Sequence, residues 1–202
     1  MLLELNSLSS FFSWLIAKDK QLFLAINQRH TNSFFDWLMP IWRNSNTWIP
    51  LYVLMLIFVI SKLKKQVWIW ILAASVTFLL SDQISSHILK PFFARPRPCN
   101  DVDFAPQVRL LLHHCGSGFS FTSSHACNHF GIAIFFITTL SSYLKNWKYL
   151  FIAWAVIVCY AQVYVGVHYP LDVLCGAVLG ALIGKFTSNF YNKKSQTINN
   201  KQ

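Results

Sequence analysis

Lys90, Arg95 and Arg97 stand within eight residues of one another, His125 and His129 lie four apart, and His168 and Asp172 lie four apart on either side of Pro170. Clustered cations position a multiply charged anion, and phosphate suits the planar fork of arginine and the free amides of a helix start. An imidazole with a carboxylate one turn on is a nucleophile held in one tautomer, and a second imidazole can protonate a leaving oxygen. Phosphoryl transfer uses all three. Thr122-Ser123-Ser124-His125 reads as a helix start, with a serine cap and amides pointing at whatever His125 faces. Asp82, Ser86 and Lys90, spaced by four, share one helix face, where Asp82 reads as a structural carboxylate.

The elements that position these residues are membrane helices. Of 202 residues, 54% are apolar and only 12% charged, with a mean hydropathy of +0.42, too apolar for a soluble globule of this size. A soluble enzyme, a disordered chain and a collagen-like chain are excluded. Five spans are predicted, at 44–61, 66–89, 123–144, 147–166 and 170–191, each apolar and bounded by basic, aromatic or proline residues. Residues 1–43 carry too many charges to cross a bilayer and read as N-terminal interfacial helices. The polar tail 192–202 is expected to be disordered and cytoplasmic. No secretory signal opens the chain, so a retained N-terminus is expected.

Threading the spans alternately places Lys62, Lys64, Lys65, Lys145, Lys148, Lys193, Lys194 and Lys201 on one face, which the positive-inside rule makes the cytoplasm. The net charge of +10 is therefore read as topology, with no nucleic-acid partner. The loop 90–122 and His168 then face outward across a cytoplasmic (inner) membrane. Cys99 and Cys115 share that loop, where an oxidising periplasm favours a disulfide between them. Cys127, Cys159 and Cys175 fall in apolar segments and read as small buried hydrophobes. Gly176, Gly180 and Gly184 form a small-residue stripe for close packing against another span, with a homodimer as the secondary reading.

Three segments together resemble the type-2 phosphatidic acid phosphatase superfamily, membrane branch. Lys90-Pro-Phe-Phe-Ala-Arg-Pro-Arg97-Pro98 fits its first motif, Thr122-Ser123-Ser124-His125 its second, and Ala161-Gln162 with His168 and Asp172 its third. The resemblance covers roughly residues 44–190. It implies an all-α polytopic helical bundle that hydrolyses a lipid phosphate without a cofactor or metal. His168 would attack phosphorus, His125 would protonate the leaving oxygen, and Asp172 would orient His168. Lys90, Arg97, Ser123 and Ser124 would hold the phosphate oxygens. The implied partners are the membrane and a phosphorylated lipid, either undecaprenyl diphosphate-like or phosphatidic acid-like.

The chain departs from the pattern at one telling position. Gln162 stands where the family has arginine, and a neutral amide can donate to a phosphate oxygen but supplies no charge or fork. Arg95 and Arg109 are the candidate compensating cations. A catalytically impaired relative that binds or transports a phosphorylated lipid is the alternative.

Overall fold

The computed structural model describes residues 2–199, with side chains from 9 to 197. Helix α1 (Leu2–Leu24) runs into a π turn at Ala25–Arg29. Helix α2 (Ser33–Trp42) starts where the Asn32 side chain accepts the Phe35 amide, which satisfies one of the otherwise unpaired first-turn donors. The apolar helices follow: α3 (Ile49–Leu63), α4 (Val67–Gln83), a π turn at Ile84–Leu89 leading into the short α5 (Lys90–Phe93), α6 (Ser124–Thr139), the short α7 (Ser141–Leu144), α8 (Lys148–Tyr164) and α9 (Pro170–Asn199). The described residues contain no strand, and the molecule is an all-α membrane bundle.

The predicted spans coincide with α3, α4, α6, α8 and α9. Three stretches, Ser45–Asn100, Ser141–Tyr164 and Pro170–Thr197, are long and apolar enough to cross a membrane. Helix α6 is shorter than predicted, ending at Thr139 rather than near 144. It is packed on α4, α8 and α9, and after a break at Leu140 the short α7 carries the chain to Leu144. Trp70, Phe135, Phe136 and Leu140 form the core between α4 and the far end of α6, and the Trp70 indole donates to Thr139 Oγ1 at 2.8 Å.

The expected disorder of the tail is corrected over most of its length. Helix α9 runs unbroken to Asn199, because Tyr191 packs on Phe135 and Ser195 donates to Gln66, giving the polar end a protein surface to follow. Residues 200–202 lie outside the described residues.

The glycine stripe of α9 is filled by α6, so it is not open to a second copy of the chain. A Cβ at Gly176 would sit 2.6 Å from the Ser123 carbonyl oxygen, and those at Gly180 and Gly184 would collide with the carbonyls of Cys127 and Gly131. Those obstacles are backbone atoms, which cannot rotate away. Gly180→Val is therefore expected to separate α6 from α9 at a cost of about 3 kcal/mol or more. Thermal unfolding in detergent checks this, the expected result being a clearly lowered midpoint or no recoverable folded protein.

Candidate active site

His168 lies in the turn between α8 and α9, and Pro170, with its preset φ and no N–H to satisfy, opens α9 directly after it. The Asp172 carboxylate folds back over that start. Its Oδ2 accepts the Tyr169 amide at 2.8 Å and lies 3.6 Å from His168 Nδ1, while its Oδ1 accepts from Arg95 at 2.7 Å. The other arm of Arg95 reaches Asp19 of α1 at 2.6 Å, and Asp19 Oδ1 accepts the Leu171 amide at 2.8 Å. Two carboxylates thus cap the first turn of α9, and one guanidinium, stacked 4.0 Å from the Tyr169 ring centre, joins them. Burial pushes the Asp19 carboxyl above its ordinary pKa, and Arg95 opposes that shift.

With Nδ1 facing Asp172, His168 presents Nε2 on the other side of its ring. There the Arg97 guanidinium approaches it at 3.3 Å, while also donating to the Val167 and Ser117 carbonyls at 3.3 Å each. Arg97 Nε is buried and has no partner. Just after Arg97 a disulfide between Cys99 and Cys115, whose Cα atoms are 5.9 Å apart, closes the following loop, and Gly116 beyond it lies against the guanidinium. A bridge of this span constrains the unfolded chain by about 3 kcal/mol. Reduction by a phosphine is expected to lower turnover several-fold, as Arg97 loses its backing, and reoxidation to restore it. An enzyme assay with and without reductant checks this.

Ser123 caps α6. Its hydroxyl accepts the Ala126 amide at 3.4 Å, its carbonyl accepts the Cys127 amide at 3.0 Å, and its own amide donates to the Asp172 carbonyl at 2.9 Å. The first-turn amides of Ser124 and His125 are left with no acceptor in the helix, next to the positive end of its dipole. Ser124 Oγ meets Ser86 Oγ at 2.8 Å, and Ser86 in turn reaches Asp82 at 3.5 Å. Asp82 also accepts from Asn128 at 3.2 Å, tying α4 to α6.

These elements enclose a polar cavity of about 410 Å3. Lys90, Arg97, Ser124, His125 and His168 line it, together with Ser86 and, at the rim, His113 and His114. Asp172 stands behind His168. Two of the expected phosphate contacts, Ser123 and Gln162, and both candidate compensating cations, Arg95 and Arg109, are placed outside the cavity lining. Ser123 is fully buried, and its amide and hydroxyl are already used. Arg95 is committed to Asp19 and Asp172. Arg109 is committed to Asp36 at 2.7 Å and to the Asn27 carbonyl at 2.9 Å, so neither compensating cation reaches the cavity. Gln162 is fully buried and lies outside the cavity lining.

One lining residue was not singled out from the sequence. Arg43, at the C-terminal end of α2, borders the cavity, and its Nε donates to Gln162 Oε1 at 3.3 Å. The signal was present: Arg43 precedes the first span, so alternate threading puts it on the same face as Lys90 and opposite the lysine-rich face. A second, largely apolar groove of about 740 Å3 runs down between α3, α4 and α6, lined by Tyr52, Phe78, Leu79, Asn128, Ile132 and Trp154 among others. His125 and Ser124 belong to both spaces. Among the described residues, no three His, Cys, Asp or Glu side chains converge as a metal site.

Residues 68–196 match the sequence profile of the PAP2 superfamily. A lipid A 4'-phosphatase of Bacteroides thetaiotaomicron is 34% identical over 169 residues, which cover 82% of this chain and 73% of that protein. A crystal structure of a PAP2-type phosphatidylglycerolphosphate phosphatase from Bacillus subtilis superposes with a TM-score of 0.66 at 24% identity, covering 89% of this chain and 87% of the other. The crystal structure of Aquifex aeolicus LpxE gives 0.60 at 28% identity, over 83% and 92%.

Proposed function

Because the chain belongs to the PAP2 superfamily, we propose that it hydrolyses the phosphate monoester or diphosphate of a membrane lipid through a phosphohistidine. The observation that carries this reading is His125, which forms a common wall of the polar cavity and the apolar groove, with His168 in the same cavity. A lipid whose hydrocarbon lies in the groove brings its phosphate into the cavity and its bridging oxygen to His125. That is the place for a proton donor.

In the first step His168 Nε2 attacks phosphorus and the bond to the bridging oxygen breaks, that oxygen taking a proton from His125. Asp172, 3.6 Å from Nδ1, faces the proton carried there and stabilises the ring as it gains charge. In the second step His125, now neutral, takes a proton from water, and the hydroxide attacks the phosphohistidine to release inorganic phosphate and free His168. Lys90, Arg97 and the amides of Ser124 and His125 face the oxygens on which charge grows. Relatives named for lipid A, undecaprenyl diphosphate and phosphatidylglycerophosphate bound the class of substrate. The site opens on the outer face of a cytoplasmic membrane, a sidedness supported by the lysines on the opposite loops. Phosphate release from a panel of these lipids by the detergent-solubilised chain tests the reading. Release in the presence of a chelator supports it, and binding without release from any of them favours the non-catalytic alternative.

Burial holds the His168 imidazole at a pKa of about 4, against an ordinary 6.5, with Asp172 pulling the other way. The ring is thus neutral and nucleophilic at physiological pH. Between these two values the unfolded chain binds the proton and the folded chain does not, so stability is full above about 6.5 and falls as the pH drops towards 4. Unfolding midpoints measured across pH 4–7 are expected to decline more steeply on acidification in the wild type than in His168→Gln.

A further inference from the structure

Gln162 is the one motif position at which this chain lacks an expected charge, and the structure shows what its amide does instead. It is fully buried in α8, and its Oε1 accepts a hydrogen bond from Arg43 Nε at 3.3 Å. Arg43 follows α2, outside the segment that carries the family match, yet it borders the same cavity as Lys90, Arg97, His125 and His168. We propose that Arg43 is a phosphate-binding residue of this site: the guanidinium missing from α8 is supplied from the end of α2, and Gln162 is the positioning residue that holds it there.

The donor count supports the division of labour. With Nε given to Gln162, the two terminal nitrogens of Arg43 remain, and these form the fork that meets two oxygens of one phosphate. A side chain held at Nε also loses less freedom when the anion arrives. Among the described residues no carboxylate lies within ion-pair distance of Arg43, in contrast to Arg95 and Arg109, each of which is paired. Burial and the neighbouring Arg97 cation press the Arg43 guanidinium below its ordinary pKa. Two partly buried guanidinium groups that repel one another, neither of them in an ion pair among the described residues, are costly, and a phosphate dianion bound by both relieves the cost.

The arrangement makes the N-terminal segment part of the site. Helix α2 is docked by Asp36, which accepts from the Tyr164 hydroxyl and from Arg109, both at 2.7 Å, and Tyr164 lies two residues after Gln162 on α8. The same helix pair therefore sets both partners of the Arg43–Gln162 contact. It also explains why position 162 is neutral: an arginine there would bury a like charge against Arg43.

This inference rests on the phosphatase reading above, and its test separates the two. In the solubilised 202-residue chain, kcat and KM are measured on short-chain phosphatidic acid, and the affinity for inorganic orthophosphate is measured by calorimetry. Arg43→Gln is expected to lower kcat/KM by about 100-fold, the loss typical of one transition-state donor, and to weaken orthophosphate binding. Arg43→Lys is expected to keep part of both. The exchange Arg43→Gln with Gln162→Arg, which returns the charge to α8, is expected to regain at least about tenfold over Arg43→Gln alone, worth about 1.4 kcal/mol. Wild-type kcat/KM and orthophosphate affinity in Arg43→Gln would overturn the proposal. So would a loss that neither lysine nor the exchange repairs, since that pattern marks a purely structural role. If the wild type releases no phosphate from any lipid, the phosphatase reading fails, and orthophosphate affinity alone then decides the role of Arg43.

Discussion

His168→Gln is expected to abolish turnover, by about 10^4-fold or more, while leaving a folded, monodisperse protein at pH 7. The imidazole presents Nε2 to the cavity beside the Arg97 guanidinium, and no other lining side chain has its Nδ1 turned to a carboxylate. Glutamine is close in size, so it leaves no large cavity, and because the histidine is buried neutral the change removes no ion pair at that pH. Turnover by the purified variant, with gel filtration and thermal unfolding as controls, checks this. A variant that keeps more than about a tenth of the wild-type rate would remove His168 from the role of nucleophile.

Asp172→Ala is expected to cost both activity and stability, which separates it from the first substitution. Its carboxylate faces His168 Nδ1, accepts the Tyr169 amide and pairs with Arg95, all in a fully buried position. Losing the first contact frees the wrong tautomer of His168, an effect worth about 10^4-fold in kcat where the same geometry occurs in hydrolases with a histidine base. Losing the last leaves the Arg95 guanidinium with Asp19 as its sole carboxylate, and removing one partner from a buried pair costs about 3 kcal/mol or more. Turnover and unfolding midpoints should therefore fall together. A loss of activity with no change in midpoint would show that Arg95 does not depend on Asp172.

The sequence carries the helices well because their signals are local. Apolar stretches end at Lys62–Lys65, at Lys90 and at Lys145, and Pro170 opens a helix, so α3, α4, α8 and α9 follow from composition and punctuation alone. The residues of the candidate site were also within reach of the sequence, since His125, His168, Lys90 and Arg97 lie in short motifs at the ends of those helices, and all four line one cavity. What the sequence could not give was long-range pairing. Arg95 and Arg97 are two residues apart and alike in chemistry, yet one is consumed by Asp19, 76 residues away, and the other faces the cavity. Ser123 and Ser124 are adjacent, but only the second is free of the cap. Arg43 was hidden for the same reason, because its bond to Gln162 joins residues 119 apart. The polar end of α9 looks disordered when read alone and becomes a helix because Gln66 and Phe135 lie beside it.

The central claim, covalent catalysis by His168, is tested most directly by trapping the intermediate. Solubilised enzyme mixed with lipid carrying labelled phosphate is quenched in alkali within its first turnovers, and the peptides are mapped by mass spectrometry. The expected result is an alkali-stable, acid-labile phosphoryl group on His168, absent from His168→Gln. Label on another residue, or steady release of phosphate with no phosphorylated protein even when turnover is slowed by cold, would contradict the account.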